Sequence, residues 1–181
     1  MNKQTSMKPH RTTYDRDACR IGIIHIGFGA FHRAHQAVYV DDFMEKSGDL
    51  NWGIAAVNLR AEDSGSFSTF ADQKSPFLLK TTTPGQITQY REIRPHIRFE
   101  DWAKDPQQAE NLAILASVRA ISITVTESGY YFNDQWELDA DNPVIKNEIA
   151  GGERKSVYAY LSGALERRMD TINEPVTILC C

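Results

Sequence analysis

The chain has 181 residues, with 20 lysines and arginines against 24 aspartates and glutamates, so its formal net charge is −4. Domains that bind nucleic acid usually carry a basic excess, so this balance argues against that class. Hydrophobic residues make up 41% of the chain and charged residues 24%, which is typical of a globular protein and excludes disordered and collagen-like chains. The composition predicts one domain of ordinary size.

The sequence also argues against a membrane protein. No apolar run approaches the roughly 18 residues that a membrane-spanning helix needs, and residues 1–20 lack the apolar stretch of a signal peptide. We therefore expect a cytoplasmic protein whose three cysteines, Cys19, Cys180 and Cys181, are reduced thiols. Residues 1–20 are polar and without periodicity, which predicts a mobile N-terminal arm before a domain over 21–181.

The first ordered elements are predicted to be a strand, a helix and a second strand. Residues 21–26 are rich in β-branched side chains, as in a strand buried on both faces. From Ala30 the apolar residues recur every three to four positions until Gly48, which predicts one amphipathic helix. Residues 53–59 then form another apolar run, so the unit favours a parallel crossover.

The middle of the chain has a different pattern. Residues 77–83 and 86–90 are β-rich and flank the turn dipeptide Pro84-Gly85, which predicts an inserted antiparallel hairpin. Residues 102–118 indicate a connection followed by a helix, and residues 120–125 a further buried strand.

The last third predicts a loop, a helix and a strand. Residues 130–147 indicate a loop with a short helical piece. Ser156 is a suitable N-cap for a helix whose last turn carries Arg167 and Arg168, and residues 176–181 resemble an interior strand. The fold class predicted is therefore α/β, a Rossmann-type doubly wound and mostly parallel sheet with an inserted antiparallel hairpin.

A glycine turn joins the first strand to the first helix. Gly27 permits a tight bend, and Gly29, which lacks a Cβ, lets the backbone approach a pyrophosphate at the start of a helix. The third position of this fingerprint is His32 rather than Gly or Ala, so either the helix stands further from its strand or the fingerprint is a variant. A tight turn that binds no ligand is the alternative.

An acidic residue is expected after the second strand, where it would accept the hydroxyls of the adenosine ribose. Glu62 and Asp63 suit the ribose of NAD, whereas Arg60 suits the additional phosphate of NADP. The segment supports both cofactors with some preference for NAD, and a solvated charged loop is the alternative.

Two further groups of polar residues invite a functional interpretation. His32 and His35 share a helix face, but no third ligand in the same turn supports a metal site. Thr126 and Glu127 follow a predicted strand at the sheet edge where ligands bind, so Glu127 is a candidate proton relay or nicotinamide contact. Its alternative role is to cap a turn that Gly129 permits.

Four segments together resemble the polyol-specific long-chain dehydrogenases, the mannitol dehydrogenase family. They are HIGFGAFHRAHQA (25–37), VNLR (57–60), TVTESGYY (124–131) and VTILCC (176–181). The pair Tyr130-Tyr131 and the loop over 141–143 are most similar to the arabinitol 4-dehydrogenase branch.

The resemblance implies a two-domain enzyme that transfers hydride between NAD(P) and a polyol or sugar acid without a metal. It implies ribose contacts just past Asn58, and it places Thr126 and Glu127 in the cleft. It also implies a set of residues in the cofactor turn: Gly27, Phe28, Gly29, Phe31 and Arg33.

In the family, a later helical domain carries the catalytic Lys, Asn and His, which have no counterpart in this sequence. We therefore expect the chain to be the N-terminal cofactor domain of a longer polyol dehydrogenase that lacks activity alone, with a polyol or ketose substrate and the C-terminal helical domain as its partners. The other hypotheses are a free-standing NAD-binding or redox-sensing module and a methyltransferase that binds S-adenosylmethionine.

Overall fold

The computed structural model describes residues 8–73, 76–82 and 88–180. Its strands are β1 (Ile21–Ile26), β2 (Gly53–Asn58), β3 (Phe77–Thr82), β4 (Thr88–Ile93), β5 (His96–Asp101), β6 (Ala120–Ile123) and β7 (Thr177–Cys180). Five of them form a parallel sheet in the order β5-β2-β1-β6-β7. Strands β3 and β4 form a separate antiparallel pair.

The helices are α1 (Ala30–Ala34), α2 (Gln36–Ser47), α3 (Ser64–Gln73), α4 (Pro106–Glu110), α5 (Pro143–Ile149) and α6 (Val157–Thr171). Short 3-10 turns lie at Arg16–Ala18, Ala61–Asp63, Asn111–Ile114 and Glu127–Tyr130.

Both faces of the sheet are buried, because successive strand residues point to opposite faces. On one face, Ile24 and Ile26 of β1 belong to the larger core, which includes Tyr160 of α6. On the other face, Ile23 of β1 packs with Ala37 of α2 and with neighbouring apolar residues. The predicted doubly wound α/β sheet with an inserted hairpin is thereby confirmed, although the predicted turn dipeptide of the hairpin lies outside the described residues.

The predicted first helix is interrupted. Regular helical geometry stops at His35, whose φ of −123° and ψ of −87° separate α1 from α2. The second piece ends as expected at Gly48, which adopts a left-handed φ of 71°. The apolar spacing continues across the break, so periodicity alone could not locate it.

Two elements of the sheet region were not predicted from the sequence. Strand β5 forms one edge of the parallel sheet, but its two buried residues, His96 and Glu100, are polar. Helix α3 begins with small, weakly helix-forming residues, and Phe67 and Phe70 are its main apolar contacts. The sequence pattern did not indicate β5 because its buried residues are polar, and it did not indicate α3 because the first residues of this helix have weak helix propensity.

The helix predicted within 102–118 is wrong in length. The structure has only α4, which starts at Pro106 with Asp105 as its N-cap, followed by the 3-10 turn Asn111–Ile114. Ala109, Leu112 and Ala113 are buried as the apolar pattern indicated.

Residues 10–20, predicted to belong to a mobile arm, make specific contacts with the domain in this structure. The backbone N–H of His10 donates to the carbonyl of Tyr90 at 2.8 Å, and the Tyr14 hydroxyl donates to Asp41 Oδ1 at 2.6 Å. Thr12 is buried beside the buried Asp41, to which its hydroxyl donates at 3.3 Å. Polar side chains, which carry no hydrophobic periodicity, fasten this segment to α2 and β4.

At the other end of the sheet, Ser156 caps α6 as predicted, since its side chain accepts from the N–H of Ala159. Arg168 is buried, and its guanidinium donates to backbone carbonyls that include Ala113 O at 2.6 Å. The interior-strand prediction for the last segment is wrong in this structure, because all four residues of β7 are exposed.

In the described part of the chain, no helix is long and apolar enough to cross a membrane.

Candidate dinucleotide site

A cleft of about 400 Å³ opens beyond the carboxyl ends of β1, β2 and β6. In doubly wound sheets, ligands bind at this edge, where the strand order reverses, and here β1 lies between β2 and β6. The lining comes from the loops that follow these strands, from α3 and from the start of α6. Its residues include Gly27, Phe28, Gly29, Arg33, Asn58, Arg60, Asp63, Phe70, Thr124, Thr126, Tyr131, Lys155 and Ser156.

The two glycines of the turn have different structural roles. Gly27 has φ of +95°, and a Cβ built on it would lie 2.7 Å from the carbonyl oxygen of Thr124. Only glycine is tolerated there. Gly29 has an ordinary extended backbone, with φ of −82° and ψ of 175°. The atom nearest to a Cβ added at Gly29 is the carbonyl oxygen of Gly27, 3.8 Å away. A side chain at 29 would therefore enter open space in the cleft.

The start of α1 follows Gly29, which caps this helix without a side chain. The first N–H groups of a helix, here those of Ala30, Phe31 and His32, have no intrahelical acceptor. Arg33 adds positive charge to the lining, whereas Arg60 and Lys155, which also line it, are paired with Glu62 and Glu153. Free N–H donors and cations at one edge suit an anionic ligand.

Phe28 anchors the turn between its two glycines. Its ring packs edge-on against Phe70 and His96, with centroids 5.1 and 5.0 Å away, and contacts other aromatic rings. The Arg33 guanidinium lies 5.4 Å from the Phe28 ring centroid and 5.0 Å from that of Phe70. These contacts place the cation of Arg33 at the cleft.

The loop after β2 brings the charged candidates together. Arg60 Nη2 lies 2.6 Å from Glu62 Oε1, and its Nε lies 3.5 Å from Asp63 Oδ2. The hydrogen bond to Glu62 raises the pKa of Arg60 above its usual value. Asn58 is buried and fixes this loop, because its Nδ2 donates to Arg60 O and to Asp101 Oδ1, each at 2.8 Å.

His32, at the third position of the fingerprint, is buried against strand β1. Its ring stacks on His25 of β1 with centroids 3.3 Å apart and an interplanar angle of 11°. Burial lowers the pKa of His25 to about 4 and lowers that of His32 further. His32 Nε2 contacts His96 Nε2 at 2.8 Å, whereas His35 Nδ1 contacts the carbonyl of Phe31, so the two helix histidines do not converge.

Three of the candidate residues lie away from the main lining. Phe31 is 59% exposed and stacks on His35. Glu62 and Glu127 line cavities that adjoin the cleft.

The sequence did not indicate Lys155 as a lining residue, because its segment carries no motif beyond the Ser156 cap. It also missed Thr124, which belongs to the strand-end segment that was singled out for Thr126 and Glu127.

Comparisons with known proteins agree with this architecture. Residues 21–181 match the model of the mannitol dehydrogenase Rossmann domain. The chain is 36% identical to D-arabinitol 4-dehydrogenase of Klebsiella pneumoniae over 158 residues, covering 87% of this chain and 34% of the relative. It is 32% identical to mannitol 2-dehydrogenase of Pyricularia oryzae over 184 residues, covering 98% and 36%.

Solved structures give the same result. The Pseudomonas fluorescens mannitol 2-dehydrogenase ternary complex with NAD and D-mannitol superposes with a TM-score of 0.88 at 30% identity, covering all of this chain and 38% of that one. A substrate-free D-sorbitol dehydrogenase gives a TM-score of 0.86 at 27% identity, covering 95% and 36%. The chain thus spans about a third of the length of these relatives. By its sequence and its fold, the chain belongs to the mannitol dehydrogenase family and corresponds to the family's Rossmann domain.

Proposed function

We propose that this chain is the NAD-binding domain of a metal-independent polyol dehydrogenase. The observation that carries the proposal is the open space beside Gly29, at the start of α1 and at the carboxyl edge of the sheet. A backbone without a Cβ at this point admits a pyrophosphate close to free N–H groups.

The residues present fit such a cofactor. The turn at Gly27 and Gly29, with the N–H groups that begin α1, would hold the diphosphate, and Arg33 would add positive charge beside it. Asp63, which lines the same cleft, would accept ribose hydroxyls. Thr126 would line the nicotinamide side and Glu127 the adjoining cavity. When bound, NAD supplies the hydride acceptor for oxidation of a secondary alcohol.

The charges after β2 favour NAD over NADP. A free arginine here would attract the additional phosphate of NADP, but Arg60 is already paired with Glu62 and Asp63. The two carboxylates would repel that phosphate. The ribose of NAD instead offers hydroxyls that a carboxylate can accept.

The reaction of the whole protein is a further part of the proposal. A base must lie within hydrogen-bond reach of the alcohol proton, and polar groups must stabilise the developing oxyanion. We propose that a helical C-terminal domain supplies the catalytic Lys, Asn and His, that the substrate is a polyol or its ketose, and that the isolated chain is inactive. The names of the relatives, which include arabinitol, mannitol and sorbitol dehydrogenases, support this substrate class. Cytoplasmic location stays a prediction.

The cofactor proposal is tested by calorimetry with NAD on the wild-type chain and on Gly29→Val. The valine side chain would occupy the open space beside the turn, so we expect NAD binding to be lost while the melting temperature is retained. Gly65→Val is the matched control, because a Cβ added at Gly65 meets no atom within 4 Å and this residue lies outside the cleft lining. Undiminished NAD affinity in Gly29→Val would refute the assignment.

The catalytic proposal is tested by reconstitution. The C-terminal domain of a related polyol dehydrogenase, made separately, is added to this chain, and NAD reduction by a polyol is followed by absorbance. We expect turnover only in the mixture. Binding of NAD without turnover in any mixture would favour a free-standing NAD-binding module.

A further inference from the structure

The carbonyl of Gly27 receives three hydrogen-bond contacts inside the turn. The N–H of Gly29 donates to it at 2.6 Å, the hydroxyl of Thr124 donates at 3.0 Å, and His25 Nε2 lies 3.1 Å away. A carbonyl oxygen can only accept, so this contact favours the His25 tautomer with its proton on Nε2, which also lies 3.0 Å from Thr124 Oγ1 and shares its proton between the two oxygens. The Gly27 peptide, which precedes the open space of the cleft, is therefore held by His25 of β1 and by Thr124, the residue that follows β6.

The His25 ring is itself fixed on every side. Its Nδ1 contacts Ser122 Oγ at 2.8 Å, and its face stacks on His32. His32 Nδ1 donates to Gln36 Oε1 at 3.0 Å, so its Nε2 accepts from His96 Nε2, 2.8 Å away. The network joins β1, α1, α2, β5 and β6.

This network is unusual for its place in the fold. Interior strands of a parallel sheet are normally apolar throughout, and the neighbours of His25 on β1 are isoleucines. Buried polar groups add little net stability compared with an apolar core, although their hydrogen bonds fix one geometry. Among the described residues, His96 Nδ1 is the atom of this network that has no hydrogen-bond partner. Burial also lowers the pKa of His25 and of His32, so both rings are neutral donors and acceptors at pH 7.

We propose that Thr124 and His25 are positioning residues for cofactor binding: they hold the Gly27 carbonyl so that the N–H groups after Gly29 face the diphosphate. The inference rests on the proposed function, because it assigns these residues to the same turn. Preorganised donors bind more tightly, since they lose less freedom when the ligand arrives. The positioning therefore acts on the diphosphate and leaves the nucleoside part of the ligand unaffected.

The experiment compares ADP with adenosine on the wild-type chain and on Thr124→Val, with NMR titration for the weak ligand and calorimetry for the stronger one. Valine keeps the shape of threonine and removes the hydroxyl. We expect about a tenfold loss of ADP affinity, the scale of one hydrogen bond, with adenosine affinity unchanged. Thr124→Ser, which keeps the hydroxyl, should restore ADP binding.

Two further variants separate positioning from stability. Thr12→Val removes another buried hydroxyl, which donates to Asp41 at 3.3 Å far from the turn along the chain. It should lower the melting temperature and leave ADP affinity unchanged. His25→Asn removes the ring atom that reaches the Gly27 carbonyl, and it replaces Thr124→Val if that variant does not fold.

The outcomes distinguish a failure of the proposed function from a failure of the positioning role alone. If wild type binds neither ADP nor NAD, the proposed function fails and the inference fails with it. If wild type binds both and the variant binds ADP equally well, the inference is wrong and the proposed function stands. Equal losses for ADP and adenosine would also overturn the inference, because the hydroxyl would then support the cleft as a whole.

Discussion

Acid should destabilise this protein through its buried histidines, and His25 allows the size of the effect to be worked out. Its pKa is about 4 in the folded chain, because burial disfavours the charged ring, against an ordinary value of 6.5. The unfolded chain therefore binds a proton more readily, so the stabilising contribution is complete above pH 6.5 and is lost as the pH falls towards 4. Linkage gives a loss of about 2 kcal/mol by pH 5 and about 3 kcal/mol by pH 4.

The assay is urea unfolding of wild type and His25→Gln between pH 7 and pH 4. Glutamine does not titrate in this range, so wild type should lose about 2 kcal/mol more than the variant between pH 7 and pH 5. His10→Gln changes an exposed histidine and is the control, which should follow the wild-type curve. Parallel curves for wild type and His25→Gln would refute the claim that this ring is buried and neutral.

Three further predictions concern the glycine turn, the buried arginine of α6 and the carboxylates after β2. Gly27→Ala should lower the free energy of unfolding by at least 2 kcal/mol, measured in urea, because φ is +95° and the Cβ meets Thr124 O at 2.7 Å; an unchanged midpoint would contradict this. Arg168→Ala should cost about 3 kcal/mol or more by the same assay, since buried carbonyls lose their donor; a loss below about 1 kcal/mol would contradict the buried geometry. Changing Glu62 and Asp63 together to Ala should weaken NAD by about 1–2 kcal/mol and strengthen NADP in calorimetry, and unchanged values for both cofactors would place the ribose elsewhere.

The fold was predictable where burial follows hydrophobicity. Strand β1 and strand β6 are short apolar runs, and Ser156 marks the start of α6, so each was located within a few residues. Strand β5 was not located, because its buried positions are His96 and Glu100. His96 is paired with His32, 64 residues away, and Glu100 accepts from Gln108 of the helix that follows.

The same limit applies to the candidate site. The glycine turn was recognised from local spacing, since both a positive φ and an open approach require glycine. The contacts of the Gly27 carbonyl could not be recognised, because Thr124 lies 97 residues away and meets the turn only when β6 pairs with β1. Phe31, for which the resemblance implied a place in the cofactor turn, has an exposed side chain that stacks on His35.

The central claim is that the turn at Gly27–Gly29 binds a diphosphate, and an amide-resolved NMR titration of the chain with NAD tests it most directly. The account predicts that the largest shifts fall on the amides of Gly29, Ala30 and Phe31, with smaller shifts at Asp63 near the ribose. Shifts that leave this turn unaffected and concentrate on the cavity beside α5 and α6, around Gly152 and Gly163, would contradict it.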